Sequence, residues 1–510
     1  MKLNYTSYNN DTKLIVLFTF LFIANALAVS NVRIGIALCA FEMVILLYYF
    51  IKGSIENYVL CYILFLVTSI EVSQFALGFE SGSGIVYNFM RLPVVNMDHF
   101  YLLTLLPLVL IARENKFMTY LKNIRGLKNT KKLMRMLFLF MIIGLLSAFV
   151  CILFNDNKAT SYAFFWLLLL QDILAFGMLF FVAFYLTYLI ANRKGFCEKL
   201  ERLLTCILIS IVPSALITVV FGMRGYYGRS TDSEVVLLLP LVAFFGVMLI
   251  IFPFYKQYQS TKRWFVYGLI LLVVMIAYPS PLGGKWWLIV LGLPVIIVYS
   301  YIKNMTIKKL LTVYSLIIIL SVLIWVIISM TDTMGFGNAM TENKFTQATQ
   351  TLFFWEEDWY DNLSVSPKFR FDEFINIIYE YLETPQYLFF GKGFGGSTTL
   401  HTTTLNWNVE SAFSIDQIQA GLFIRLHESA NVIFLKFGLL GLFFFIKILF
   451  ICFKNIGHNP WIVIGMIWFF FYFSIYLSLY FGLCSLVIGF YKVDIETRKT
   501  MEWFTNPISR

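Results

Sequence analysis

The sequence predicts an all-α, polytopic integral membrane protein of about 13–14 transmembrane helices with one large folded extracytoplasmic loop. Three observations carry that prediction. Of 510 residues, 59% are hydrophobic and 13% charged, 54 of them Phe, and a soluble domain of that size would need far more polar surface. Apolar runs of about 17 residues or more, long enough to cross a bilayer, recur along the chain. Lysine and arginine gather in alternate connections, as they do where topology is set by charge.

In chain order, the first run, 14–29, ends in "ANALAVS". Ala26 and Ala28 imitate a signal-peptidase site, but the polar stretch before the run is long and a second run, 34–51, follows at once, so the pattern predicts an uncleaved first helix. Runs at 58–74, 97–112, 136–154, 162–191, 203–221, 235–254, 264–279, 286–301 and 309–330 complete a bundle of about 11 helices over residues 1–330. Residues 331–428 are too polar to span and far longer than the other connections. The helical patterning of "RFDEFINIIYEYLE" at 370–383 marks this loop as folded. Residues 429–492 return to the membrane through runs at 430–453 and 461–491, the latter long for one helix and short for two, and 493–510 form a tail.

The N-terminus and the connections 52–57, 113–135, 193–202, 256–263 and 303–309 hold 21 Lys and Arg, against 6 in the connections between them. The positive-inside rule therefore places the N-terminus in the cytoplasm and, by parity, the loop 331–428 outside. Lys492, Arg498 and Lys499 favour a cytoplasmic C-terminus. The net charge of +10 is thus a matter of topology: "RENKFMTYLKNIRGLKNTKKLMR" anchors the chain beside anionic lipid, and no nucleic-acid partner is implied. Of seven cysteines, six lie in apolar runs and Cys197 in a short basic connection, which indicates neither a disulfide framework nor a cysteine metal site. Glu42 and Asp172 lie inside runs, where a carboxylate is costly, and each calls for a polar helix contact or an ion pathway. "GKGFGG" at 391–396 mimics a nucleotide loop but follows no strand of a βαβ unit, and reads as a flexible turn.

Positive charges on the outer face are informative because topology disfavours them there. Arg224 in "FGMRGYYGRSTDSEVV", Lys285 in "YPSPLGGKWW", and Arg370 and Arg425 in the large loop share that face with His427. A snorkelling cation is the default explanation of any one of them. Together they suit a lipid diphosphate, whose oxygens arginine forks bind at headgroup depth, while a histidine takes a proton from an attacking hydroxyl. His427 and Asn431 are spaced i, i+4, which on a helix entering the membrane puts both on one side. His99 in "NMDHFYLL" is the rival base. Trp355 and Trp359 in "FFWEEDWYDN" suit either a sugar-binding surface or a helix lying on the membrane. His401 lacks an adjacent span, and His458 falls on the cytoplasmic side.

Over about 220 residues the chain resembles the O-antigen polymerase and ligase family of bacterial envelope enzymes. The likeness rests on "RGYYGRSTDSEVVLLLPL", "PSPLGGKWWLIV", "RFDEFINIIYEYLETPQYLFFGKGFGG" and "LHESANVIFLKFGLLGL". It implies that Arg224 and Arg370 hold an undecaprenyl diphosphate, with Lys285 as a substitute cation, and that His427 activates the acceptor hydroxyl, while Arg425 is a further diphosphate-binding candidate from its place on the outer face. It implies a glycosyltransferase of the bacterial cytoplasmic membrane that polymerises lipid-linked oligosaccharide repeat units and needs no metal or other cofactor. Membrane lipid, a chain-length regulator and a flippase are its implied partners. A ligase transferring glycan to lipid A core shares the motif set. A flippase or other transporter would instead gather its ionisable residues near mid-membrane.

Overall fold

A computed structural model describes residues 5–30, 32–68, 91–92, 97–98, 100–154, 156, 165–220, 360, 365–401, 421–424, 426, 428–456, 458–471 and 480–505. It is mostly helical. Helices α1 (Tyr5–Ser30), α2 (Val32–Ile51), α3 (Ile55–Thr68), α4 (Phe100–Glu114), α5 (Phe117–Ile124), α6 (Lys128–Leu153), α7 (Phe165–Asn192) and α8 (Phe196–Val220) come from the first half of the chain. Helices α9 (Val365–Glu383), α10 (Ser429–Asn455), α11 (Pro460–Phe471) and α12 (Tyr480–Thr505) come from the second. Two short antiparallel ladders join β1 (Arg91–Leu92) to β2 (Met97–Asp98) and β3 (Thr398–Thr399) to β4 (Leu422–Phe423). Among the described residues four helical segments are long and apolar enough to cross a membrane: Arg33–Ile51, Lys128–Leu153, Asp172–Asn192 and Ser429–Asn455. The apolar runs expected at 235–330 lie outside the described residues.

One end of the bundle is tied together by charge. Glu114 binds Arg193, Asp11 binds Arg202, and Glu56 holds Lys199 at 2.5 Å. Glu201 accepts Lys492 Nζ at 2.5 Å and Trp461 Nε1 at 2.7 Å. Apart from Trp461 and Lys492 these residues come from the N-terminus and the connections 52–57, 113–135 and 193–202, which meet at one end, while 256–263 and 303–309 lie outside the described residues. The expected run 461–491 is two helices, α11 and α12, packed antiparallel, which returns Lys492 to that same end. Nor does the chain become a tail at 493, for α12 continues to Thr505 and its Asp494 reaches the start of α6. No side chain of α6 caps its own N-terminus. Instead the carboxylate of Asp494 accepts the backbone N–H groups of Asn129 (2.9 Å) and Thr130 (3.0 Å) and both their side chains, satisfying donors that a helix start leaves open.

The opposite end carries the large loop. There Asp156, just past α6, accepts Tyr387 Oη at 2.7 Å and Gln386 Nε2 at 3.0 Å. From a one-turn 3₁₀ helix at Pro385–Tyr387 the chain dives into the bundle as a re-entrant loop, "GKGFGG", in which every residue is buried. Phe394 donates its N–H to Gly144 O at 3.1 Å, nine residues inside the end of α6, so the loop descends roughly 13 Å. Irregular backbone survives at such depth only when protein satisfies it. Lys392 N–H bonds Leu435 O (2.9 Å), Gly393 N–H bonds Lys436 O (3.0 Å), Gly395 N–H bonds Asp172 Oδ2 (2.8 Å) and Gly396 N–H bonds Gly393 O (3.1 Å). The reading of this segment as a flexible turn is therefore corrected: it is a fixed plug.

Helix α10 is interrupted to receive the plug. Gly438 takes φ 62°, ψ −156°, outside the helical region and open to glycine, and this frees the carbonyls of Leu435 and Lys436 for the loop. The freed N–H groups of Leu439 and Leu440 bond back to Leu388 O (2.9 Å) and Phe389 O (3.0 Å), so loop and helix satisfy one another. Asp172 also binds Lys436, which realises the polar contact its place in a span demands. Glu42 is fully buried, and neither of its carboxylate oxygens has a hydrogen bond among the described residues.

Candidate active site

Helix α9 matches the expected helical patterning at 370–383, though it begins five residues earlier, and its sides are reversed relative to a soluble helix. Asp372, Glu373, Asn376 and Glu380 are buried together with Phe369, Ile377 and Tyr381, while Phe371, Phe374, Ile378 and Leu382 are exposed. Polar groups facing inward and apolar ones outward is the arrangement a lipid-facing helix over a polar interior requires. Tyr381 anchors the inner side by donating to Phe434 O (2.6 Å) and Leu435 O (3.0 Å) at the interruption of α10.

Three ionisable groups meet at the last turns of α9. Lys392 from the re-entrant loop, fully buried, lies with Nζ 2.5 Å from Glu380 Oε1, whose side chain is 1% exposed. Glu380 Oε2 stands 2.9 Å from His401 Nε2 and accepts Thr399 Oγ1 at 3.2 Å and Thr399 N–H at 3.3 Å. His401 N–H bonds Asn376 Oδ1 at 2.6 Å, and its ring stacks on Tyr379 with centroids 6.0 Å apart. Its Nδ1 faces outward, 3.5 Å from Oε1 of the half-exposed Glu383. Ligand atoms of Glu380, Glu383 and His401 lie within 4.8 Å of one another, a spacing a metal ion could bridge. Glu380 Oε2 is already engaged by the hydroxyl and N–H of Thr399 and faces Nε2 of the imidazole, so a cation there would have to displace one of them.

Of the residues the sequence nominated, Arg370 and Asn431 are described. Arg370 forms an ion pair with Glu428 at the N-cap of α10 and keeps 30% of its side chain exposed. Asn431, buried, donates to Arg370 O (3.0 Å) and Glu373 Oε2 (2.9 Å), clamping α9 to the mouth of α10. His427, Arg425, Arg224, Lys285, His99, Trp355 and Trp359 lie outside the described residues.

Sequence reasoning passed over His401 because no apolar run adjoins it, and over Lys392 because its loop looked like a turn. The available signal was Asp372, Asn376 and Glu380 at i, i+4, i+8, a polar stripe that a sequence reader assigns to solvent. His458, dismissed as remote, is exposed at the basic end, 3.8 Å from Glu496. Burial pushes the Cys197 thiol up to about 12, which leaves it inert, and all seven cysteines are unpaired.

Fold and site together define a mostly helical membrane protein with a buried polar cluster under a re-entrant loop. No protein-family model matches the chain, and neither curated proteins nor solved structures gave a match.

Proposed function

We propose that the protein is a membrane glycosyltransferase that polymerises undecaprenyl-diphosphate-linked oligosaccharide repeat units, as O-antigen or capsular polymerases do, on the outer face of the bacterial cytoplasmic membrane. The observation that carries this reading is the seat of Arg370. Asn431 fixes its backbone, Glu428 orients its guanidinium, and nearly a third of the side chain stays open at the mouth of a membrane helix, where a lipid diphosphate would present its oxygens. Arg224 completes the anion grip, with Lys285 and Arg425 adding charge. The acceptor sugar's hydroxyl attacks the anomeric carbon, the bond to the diphosphate breaks with its electron pair leaving on phosphate oxygen, and an outer-face histidine takes the proton. His427, next in the chain to Glu428, is the residue the sequence nominates. Catalysis of this kind asks for positioning and for stabilisation of an anionic leaving group.

The test is genetic. Deletion should leave cells with a single repeat unit on their surface glycolipid or capsule anchor and no long ladder. Loss of even the single unit from the lipid A core would make the protein a ligase. Restoring the deletion strain with Arg370→Ala should leave chain extension roughly one to two decades down, with Arg370→Lys recovering only part because it keeps the charge and loses the fork.

A further inference from the structure

We propose that the proton acceptor is His401, held by Glu380, which takes the hydroxyl proton of the acceptor saccharide on Nδ1. This rests on the reading above that a sugar hydroxyl is the nucleophile. His401 is built as a base is built. Nε2 stands 2.9 Å from Glu380 Oε2 and 3.0 Å from Thr399 Oγ1, against a carboxylate that Lys392 and Thr399 already hold, and a hydrogen on Nε2 donates to that carboxylate and leaves the Nδ1 lone pair for the substrate. The ring cannot turn away, because the backbone N–H is fixed on Asn376, one ring face lies against Tyr379, and the carboxylate behind it is immobile. A buried carboxylate that orients an imidazole fixes its tautomer and stabilises the imidazolium that forms, the arrangement found wherever a histidine activates a hydroxyl.

The outward side suits the other half of the step. The side chain of His401 is 15% exposed and that of Glu383 52% exposed, which puts Nδ1, 3.5 Å from Glu383 Oε1, on the accessible side of the cluster. As the O–H bond breaks, the oxygen forms its bond to the anomeric carbon, the bond from that carbon to the diphosphate breaks with its electrons going to phosphate oxygen, and the proton stays on Nδ1. There it points at Glu383 Oε1, 3.5 Å away, which stabilises the new cation.

The experiment is the initial rate of chain extension by the full-length protein in lipid nanodiscs, on purified lipid-diphosphate-linked repeat unit, across the pH range, with and without EDTA. His401→Gln keeps a hydrogen bond to Glu380 and should cut the rate by about 10²–10⁴, as loss of a general base does, with its unfolding midpoint unchanged. His401→Ala should regain part of the rate in added imidazole, which a purely structural loss would not allow. A His401→Gln protein within about threefold of the parent, beside an Arg370→Ala protein roughly one to two decades down, overturns the assignment and leaves the glycosyltransferase reading standing. Rates abolished by EDTA and restored by Mn²⁺ overturn it in favour of a cation held by Glu380, Glu383 and His401. No extension by the parent protein removes the reading on which the assignment rests.

Discussion

Replacing Lys392 with methionine removes one positive charge from the protein interior and leaves nearly all of the side chain's volume. In the native protein Lys392 is fully buried, and Glu380, its partner at 2.5 Å, is 1% exposed, so the carboxylate loses its closest compensating charge. Breaking a buried pair from one side costs about 3–5 kcal/mol, because the remaining charge is stranded in a medium that solvates it poorly. Glu380 keeps Thr399 and His401, which puts the expected loss near 3 kcal/mol, or about two decades in the folded-to-unfolded ratio. The double variant Lys392→Met, Glu380→Gln removes both charges and should recover about 1–2 kcal/mol of that loss, since neighbours in one network are not additive. The assay is unfolding of the purified protein in a denaturing detergent series, followed by tryptophan fluorescence. A Lys392→Met protein within about 1 kcal/mol of the parent, or a double variant whose loss equals the sum of the two singles, would refute the buried pair as the anchor of the re-entrant loop.

Gly393→Ala should be far costlier than Gly53→Ala, although both glycines have positive φ (76° and 70°). A Cβ at 393 would meet Ala148 N at 2.1 Å and Gly144 O at 2.5 Å, whereas nothing lies within 4 Å at 53. The same titration should give more than about 3 kcal/mol for the first and about 1–2 kcal/mol for the second. Asp494→Ala should cost about 2–3 kcal/mol by uncapping α6, and Asp494→Asn less, because one oxygen still accepts. Reporter fusions at about residue 345 should be active only outside the cytoplasm and fusions at about residue 120 only inside it, and the reverse pattern would sink the mechanism.

What the sequence made legible was what periodicity and hydropathy encode locally. The spans over 34–51 and 430–453 stand within two residues of α2 and α10, and 136–154 ends within one residue of α6, which begins eight residues earlier, because twenty apolar residues have no other stable state in lipid. Helix α9 was legible from the spacing of Phe, Ile and Tyr over 370–383, but its orientation was not, because the same amphipathic pattern serves a solvent-facing or a lipid-facing helix. The plug was invisible for a different reason. Its partners, Gly144, Asp172 and Lys436, are distant in the chain, and apart from the carboxylates of Asp172 and Glu380 they hold it through backbone carbonyls that carry no residue signature. The run 461–491 was ambiguous by length alone, and its division into α11 and α12 is a matter of packing: a Cβ on Gly482 would lie 2.0 Å from Trp468 Cβ. Likewise His401 acquires chemical meaning only through Glu380, twenty-one residues earlier and on another element.

The measurement that tests the central claim most directly is mass analysis of the product formed when the purified protein alone is given lipid-diphosphate-linked repeat unit, with no nucleotide sugar. The account predicts a ladder of lengthening chains on the lipid carrier, released undecaprenyl diphosphate in step with each added unit, and both reduced roughly one to two decades with Arg370→Ala. Substrate recovered unchanged from a well-folded protein, or carried intact across the membrane of a sealed vesicle without bond formation, would contradict it.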